Sequence, residues 1–183
     1  MSGSAGRNIV YFDLETQKAA EEVGGWTNIR DMRMSVGVTF STKRGTYQIY
    51  DERHAPELME ELRRADLVVG FNLLRFDYEV LAAYSPFFDP QQIPTLDMLV
   101  ELLKVLPHRL SLDAVASASL GVAKTGDGLE ALQWFREGRL LKVAEYCCYD
   151  VKITKLVHEY GLAHHRLHYT DRYGKVLTVP VSW

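Results

Sequence analysis

Acidic side chains occur in this sequence at places where a folded chain rarely leaves them without a partner. Asp13 and Glu15 lie in the stretch YFDLETQ, at the end of an apolar run that predicts a central strand. Because successive strand residues point to opposite sides, both carboxylates project from one face and Leu14 from the other. Two carboxylates placed together repel each other, and the repulsion raises a pKa unless a cation neutralises them.

A third carboxylate lies on the apolar side of a long predicted helix, LLKVAEYCCYDVKITKLVHEYGL. Five residues recur at helical spacing and define the water-facing side: Lys142, Glu145, Tyr149, Lys152 and Glu159. Asp150 falls on the opposite side, where an isolated ionised carboxylate is unfavourable. Tyr146 lies one turn earlier, about 40° around the helix, so both side chains can project over one patch.

A fourth carboxylate follows a second apolar run, LVVGFN, which predicts a strand covered on both faces. Asn72 ends this strand, and Asp77 begins the next predicted helix beside Phe76. Carboxylates at strand ends and on the inner face of a helix could converge, and such clusters suit Mg²⁺ or Mn²⁺. The chemistry most often built this way is two-metal phosphoryl transfer, with a single metal that holds a nucleotide as the alternative.

The elements that must position these residues follow a mixed order. Three segments predict antiparallel strands: NIVYFDLE, RMSVGVTFS and GTYQIYD. Residues 16–31 contain Gly24-Gly25 and no sustained apolar stripe, which predicts a long connection with about one helical turn. Six later segments predict helices: PELMEELRRAD, FDYEVLAAY, DMLVELLKVL, SLDAVASASLG, DGLEALQWFREG and the long helix above. A terminal hairpin turns at Tyr173-Gly174, and we expect one α/β domain over residues 1–183.

Composition narrows the class of protein. The chain has 183 residues, 47% of them hydrophobic, which is enough for one core. Its formal net charge of -3 gives no global attraction to nucleic acid. The adjacent Cys147 and Cys148 cannot join distant parts of the chain, which favours a reducing compartment. With no long apolar segment in the sequence, we expect a soluble, cytoplasmic protein with no membrane partner.

The acid-bearing segments, taken in order, resemble the three motifs of the DEDD 3′→5′ exonuclease superfamily, which has a ribonuclease H-like fold. They are Asp13-Leu14-Glu15, the run NLLRFD that ends at Asp77, and Tyr146-Cys147-Cys148-Tyr149-Asp150. The third motif has tyrosine four residues before its aspartate, as in the DEDDy subgroup. The histidine subgroup would have histidine at position 145, where this chain has glutamate. The chain is also similar to stand-alone exonucleases related to family B DNA polymerase proofreading domains.

The resemblance implies a mixed central sheet, antiparallel in its first three strands, flanked by helices and followed by a C-terminal hairpin. It also implies two divalent cations, Mg²⁺ or Mn²⁺. Asp13 would bridge both cations, and Glu15 with Asp150 would complete the site that carries the nucleophilic water. Asp77 would hold the second cation, and Tyr146 would orient the water rather than deprotonate it.

Several residues are predicted to contact the substrate, the 3′ end of a single-stranded nucleic acid. They are Leu14, Thr16, Asn72, Arg75, Phe76 and Lys124. Further cations could line an approach path: Arg30, Arg33, His108, Arg109, Arg136 and Arg139. Trp26, in the long early connection, could stack on a base or anchor its loop to the core.

The predicted activity is metal-dependent 3′→5′ hydrolysis of single strands to nucleoside monophosphates, with DNA favoured over RNA by the resemblance. One alternative is an inactive nucleic-acid-binding or partner-binding module of the same fold. All four acids and the tyrosine are present, so nothing in the sequence favours this alternative. Another is a carboxylate-metal endonuclease of a different fold, which would not require the spacing of Tyr146 and Asp150.

Overall fold

The main sheet of the protein is mixed and has five strands. A computed structural model describes residues 6–122 and 128–183 of the chain. The strands are β1 (Ile9–Thr16), β2 (Met34–Ser41), β3 (Thr46–Asp51), β4 (Leu67–Gly70) and β5 (Thr95–Asp97). Their order is β3-β2-β1-β4-β5, with β1, β2 and β3 antiparallel and with β4 and β5 parallel to β1. A separate antiparallel hairpin joins β6 (Arg166–Thr170) to β7 (Val176–Pro180).

Helices cover both faces of the main sheet. They are α1 (Ala55–Arg64), α2 (Asp77–Leu81), α3 (Met98–Leu103), α4 (Leu112–Leu120), α5 (Gly128–Arg136) and α6 (Leu140–His164). The first two pack in one hydrophobic core, and the other four contribute to the core on the opposite face. The predicted α/β arrangement, mixed sheet and terminal hairpin are therefore confirmed. Within the described ranges, no helix has both the length and the apolar character needed to cross a bilayer.

Strand β1 lies at the centre of the sheet and supplies side chains to both cores. Phe12 and Leu14 are buried in the core beneath α1 and α2, whereas Tyr11 is buried in the core beneath α6. Because side chains alternate along a strand, Asp13 and Glu15 continue the row of Tyr11 on the α6 side. The predicted common face of the two acids is confirmed.

Helix α6 crosses β1 and is held there by a buried polar contact. The Tyr11 hydroxyl lies 2.9 Å from Nδ1 of His158. Burial lowers the pKa of His158 to about 4, so its imidazole is neutral at physiological pH. Trp183 donates its indole N–H to the backbone oxygen of His158 at 3.2 Å. Its ring packs so closely on Gly161 that an added Cβ would lie 2.6 Å from it.

Two parts of the chain differ from the elements expected from sequence. Strand β5 is not among the predicted strands, because its three residues lead directly into α3 and leave no period to recognise. The long connection between β1 and β2 contains two 3₁₀ segments, Ala20–Val23 and Trp26–Met32, rather than one helical turn. This connection closes on itself through two hydrogen bonds from Gln17 N to the oxygens of Met32 and Arg33.

The carboxylate of Asp97 joins β5 to the loop between β4 and α2. It is 3% exposed and accepts hydrogen bonds from Asn72 N at 2.8 Å and Leu74 N at 3.0 Å. It also accepts from Leu99 N at 3.1 Å, which caps the start of α3. Asn72 has a φ of 72°, a conformation that asparagine tolerates better than most residues. This buried carboxylate therefore fixes the loop that leads to Asp77.

Replacing Asp97 by alanine should lower the free energy of unfolding by about 2–4 kcal/mol, because several buried N–H groups lose their acceptor. Urea denaturation measures this change. Asp89→Ala is the matched control, since Asp89 accepts from Gln91 N in a partly exposed 3₁₀ turn. That substitution should change the free energy by about 1 kcal/mol or less. Equal effects of the two substitutions would contradict the role assigned to Asp97.

Candidate functional site

Three of the four acids predicted from sequence line one cavity of about 380 Å³. Asp13 and Glu15 reach it from the end of β1, and Asp150 reaches it from the middle of α6. Asp77, the first residue of α2, lies behind β1 and accepts a hydrogen bond from Leu14 N at 3.2 Å. The structure thus brings three of these acids to one cavity and places Asp77, which is 2% exposed, against the backbone of β1.

Like charges act on each other strongly across this cavity. Burial, followed by repulsion from Asp150, raises the pKa of Asp13 well above its ordinary value. Burial also raises the pKa of Glu15, and the other three acids add to that rise. Both side chains keep part of their surface open to the cavity. The cluster therefore favours either bound protons or a bound cation.

Asp77 is subject to opposing influences. Burial and then repulsion from Asp13 raise its pKa, while hydrogen bonds from the N–H groups of Asp77 and Leu14 oppose the rise. Repulsion from Asp97 adds a smaller upward contribution. The position of Asp77 is fixed in two ways. Leu14 N of β1 donates a hydrogen bond to its carboxylate, and the loop held by Asp97 leads directly into its helix.

Tyr146 lies beside the acids on α6, one turn before Asp150. Burial, followed by repulsion from nearby acids, raises the pKa of Tyr146 far above its ordinary value. Asp150 contributes the largest part of this repulsion. The Tyr146 ring packs edge-to-face on Trp134 of α5, with ring centroids 6.1 Å apart. The phenol is thus held in place and remains protonated at physiological pH.

Cys147 has a contact that sequence reasoning missed. Its thiol lies 3.4 Å from the backbone oxygen of Asp13 and 3.5 Å from Oδ2 of the same residue. The side chain is fully buried, and burial followed by repulsion from Asp13 and Glu15 raises the pKa of the thiol. Cys147 therefore acts as a neutral donor that orients Asp13, in addition to filling the core.

The carboxylates of this cavity are ligands that suit a hard divalent cation, whereas the neutral thiol of Cys147 is not. Ligand atoms of Asp13, Glu15 and Cys147 all lie within 4.8 Å of one another. No Lys or Arg in the described part of the chain forms an ion pair with Asp13, Glu15 or Asp77. No basic side chain of the described residues therefore neutralises these three acids through an ion pair, and carboxylate oxygens are the ligands that Mg²⁺ and Mn²⁺ prefer.

A second cavity, of about 500 Å³, adjoins the first and contains other residues predicted to bind substrate. Asn72, Arg75 and Phe76 line it together with Trp26 and Arg109. The rings of Trp26 and Phe76 lie 6.2 Å apart at 57°, and both also line the carboxylate cavity. These two rings form the boundary between an acidic cavity and a basic one.

The remaining predicted substrate contacts have different placements. Thr16 lines the carboxylate cavity, although its hydroxyl donates to the backbone oxygen of Lys18 at 3.0 Å. Leu14 also borders that cavity, but its side chain is 3% exposed and packs in the opposite core. Lys124 lies outside the described residues.

Four of the cations expected along an approach path are already paired with acids. The ion pairs are Arg30–Glu79, Arg33–Glu52, Arg136–Glu22 and Arg139–Glu137. The pairs of Arg30 and Arg136 attach the connection between β1 and β2 to α2 and α5. These pairings are invisible in the sequence because each partner except Glu137 is distant along the chain.

Asp97 is the other positioning residue that sequence reasoning missed. One signal was available, since an aspartate directly before an apolar helical segment is typical of a helix N-cap. The capping role alone, however, does not indicate that the same carboxylate also binds the loop before Asp77. Comparisons with known proteins add no relative: a scan against protein-family models finds no match, and neither does a search of curated proteins.

Glu15→Gln should stabilise the metal-free protein at pH 8 by about 1–3 kcal/mol, because it removes one of the repelling charges. A carboxylate with a raised pKa in the fold lowers stability as pH rises through that pKa, so the advantage should shrink as pH falls. Urea denaturation in EDTA, from pH 8 downward, measures the difference in the free energy of unfolding between Glu15→Gln and the unmutated protein. Glu145→Gln, on the water-facing side of α6, should show no such trend. A pH-independent advantage of Glu15→Gln would contradict the repulsion.

Proposed function

We propose that this protein is a metal-dependent 3′→5′ exonuclease that hydrolyses single-stranded nucleic acid to nucleoside monophosphates. The proposal includes a ribonuclease H-like fold and a DEDDy-type active site that holds two divalent cations, Mg²⁺ or Mn²⁺. DNA is the favoured substrate because the sequence motifs resemble those of polymerase proofreading domains. The single observation that carries the proposal is that Asp13, Glu15 and Asp150 line one cavity and interact electrostatically with Asp77 and Tyr146, while no Lys or Arg of the described residues forms an ion pair with Asp13, Glu15 or Asp77.

The architecture supports this proposal. The mixed sheet, antiparallel in its first three strands and covered by helices on both faces, is what a ribonuclease H-like fold requires. The acids come from β1, α2 and α6, in the order and on the elements that the three motifs predict. Asp13 interacts electrostatically with both Asp150 and Asp77, which supports a shared role for it in holding the two cations.

Each residue has a role that its environment favours. The bound cations would lower the pKa of the attacking water and stabilise the developing charge on the phosphate. Asp13 and Glu15 would hold the cations from one side of the cavity, and Asp150 would hold them from α6. The Tyr146 hydroxyl lies beside Asp150, and its oxygen can accept a hydrogen bond from the attacking water. Because its pKa is raised, Tyr146 positions this water and does not deprotonate it.

The substrate would enter with its terminal base near the ring boundary. Trp26 and Phe76 present ring surface at the mouth of the carboxylate cavity, and aromatic rings stack on any base. Arg75, in the adjoining cavity, is exposed and can pair with a phosphate. A single strand with its bases unstacked fits these contacts because both rings need access to a base face.

Tyr146→Phe should lower kcat by about 100-fold with KM little changed, because the water loses its positioning group. Asp13→Ala should abolish hydrolysis. The assay follows a 5′-labelled single strand with Mg²⁺ or Mn²⁺, in DNA and RNA forms, and a ladder of shortened products is expected. Tyr149→Phe is the matched control, since it removes the same atom from a residue three positions along α6 and should retain activity.

Four outcomes of this assay would count against the proposal. A ladder that survives Asp13→Ala places the chemistry elsewhere or in a contaminant. Cleavage of a circular single strand indicates an endonuclease, and hydrolysis that ignores a blocking 3′-phosphate contradicts the 3′→5′ direction. No cleavage of DNA or RNA by the unmutated protein would favour the inactive binding module.

Addition of Mn²⁺ or Mg²⁺ in excess of Kd should raise the melting temperature at pH 7 by about 5–10 °C, because a cation binds the folded carboxylate cluster and relieves its repulsion. Differential scanning calorimetry measures the shift. Asp13→Asn should lose most of the shift, whereas Glu145→Gln should retain it. A shift that persists in Asp13→Asn would show that the stabilising cation binds at another place.

A further inference from the structure

A third cavity, of about 410 Å³, lies beside the C-terminal hairpin and close to the basic cavity. Its lining includes His108 and Leu110 on one side and Tyr169, Arg172 and Tyr173 on the other. The residue between the first two, Arg109, lines the second cavity instead. A wall of three consecutive residues thus separates the two cavities.

We propose that the C-terminal hairpin is a second contact surface for the single strand, and this inference rests on the proposed function. The strand whose 3′ end lies in the carboxylate cavity continues past Trp26 and Arg109, crosses residues 108–110 and reaches the hairpin tip at Tyr173. The occupant is a phosphate backbone with unstacked bases, because the path combines guanidinium groups with exposed ring faces.

The distribution of arginine supports this path. The chain has thirteen arginines, all of which lie in the described ranges. Eight form ion pairs with acids, and the five that do not are Arg7, Arg75, Arg109, Arg166 and Arg172. Three of these five line the second and third cavities. Guanidinium groups without acidic partners are free to pair with phosphates, and here they are concentrated along one route.

Aromatic rings alternate with these cations. Trp26 is 67% exposed at the start of the path, and Tyr173 is 77% exposed at its end. Between them, His108 packs edge-to-face on Tyr169 with ring centroids 5.8 Å apart. The guanidinium of Arg172 lies 4.8 Å from the ring centroid of Tyr173, which helps to hold this exposed ring in place. Bases can stack on such rings without regard to sequence.

The hairpin is attached firmly enough to serve as a platform. Leu167 of β6 is fully buried in the core beneath α6. The Ser119 hydroxyl of α4 accepts a hydrogen bond from His168 N at 2.8 Å. The one acid that lines the cavity, Asp171, accepts from Tyr173 N at 2.8 Å and from Lys175 N at 3.0 Å. Its carboxylate therefore holds the turn, and the two N–H dipoles offset part of its charge.

The test compares a dinucleotide with a strand of about 12 nucleotides, each as DNA and as RNA. Tyr173→Ala and Arg172→Gln should each raise KM for the long strand about tenfold and leave kcat unchanged, because a stacked base or a paired phosphate is lost. Hydrolysis of the dinucleotide, which is too short to reach the hairpin, should not change. Tyr173→Trp, which keeps an aromatic ring at this position, should have the same KM for the long strand as the unmutated protein.

Arg166→Gln is the matched control, since Arg166 is an exposed, unpaired arginine of the same hairpin that does not line the cavity. It removes the same charge and should leave KM for the long strand nearly unchanged. Fluorescence anisotropy of the labelled long strand in EDTA adds a readout without hydrolysis. Tyr173→Ala should raise the Kd measured in this way about tenfold.

The outcomes separate this inference from the proposed function. Equal effects of Tyr173→Ala on both lengths, no effect on either, or an equal effect of Arg166→Gln would overturn the hairpin contact while hydrolysis stands. If the unmutated protein hydrolyses neither strand but loses binding on Tyr173→Ala, the exonuclease proposal fails and the hairpin surface stands.

Discussion

Four carboxylates share one small region of this protein, and their mutual repulsion must be borne by the packing around them. Asp13 and Glu15 are brought beside Asp150 because β1 and α6 are packed in a common core, and Asp77 is brought behind them by α2. Separating these elements would relieve the repulsion, so the attraction between apolar faces must exceed it. The large hydrophobic cores on both sides of β1 provide that attraction.

The anchoring contacts are concentrated where the repulsion acts. Tyr11 precedes the first acid by two residues on the same face of β1, and it holds α6 through His158. Cys147 donates to Asp13 from the same helix, about three turns before His158. Asp97 performs the corresponding task for the loop before Asp77. The acids therefore lie on strands and helices that are anchored close to each acid. The rings and cations of the proposed substrate path lie on the connections between these elements and on the hairpin.

Local periodicity accounts for what could be predicted from sequence. Alternation along a strand places Asp13 and Glu15 together, and the helical period places Asp150 one turn after Tyr146 on the inner side of α6. Each of these predictions depends on the periodicity of a single strand or helix. The pairing of Arg30 with Glu79 or of Arg136 with Glu22 needs the tertiary arrangement, as does the double role of Asp97. For the same reason, the short strand β5 was not predictable, since its assignment depends on its neighbour β4 and not on its own three residues.

The contact between Cys147 and Asp13 joins residues 134 positions apart. Such a contact forms late, because a long stretch of chain must be closed before it can be made. A partly folded chain in which α6 has not docked carries two acids on β1 without Asp150 or Tyr146 beside them. The complete set of acids is therefore a property of the finished fold. Docking of α6, the last long helix of the chain, completes the acid cluster.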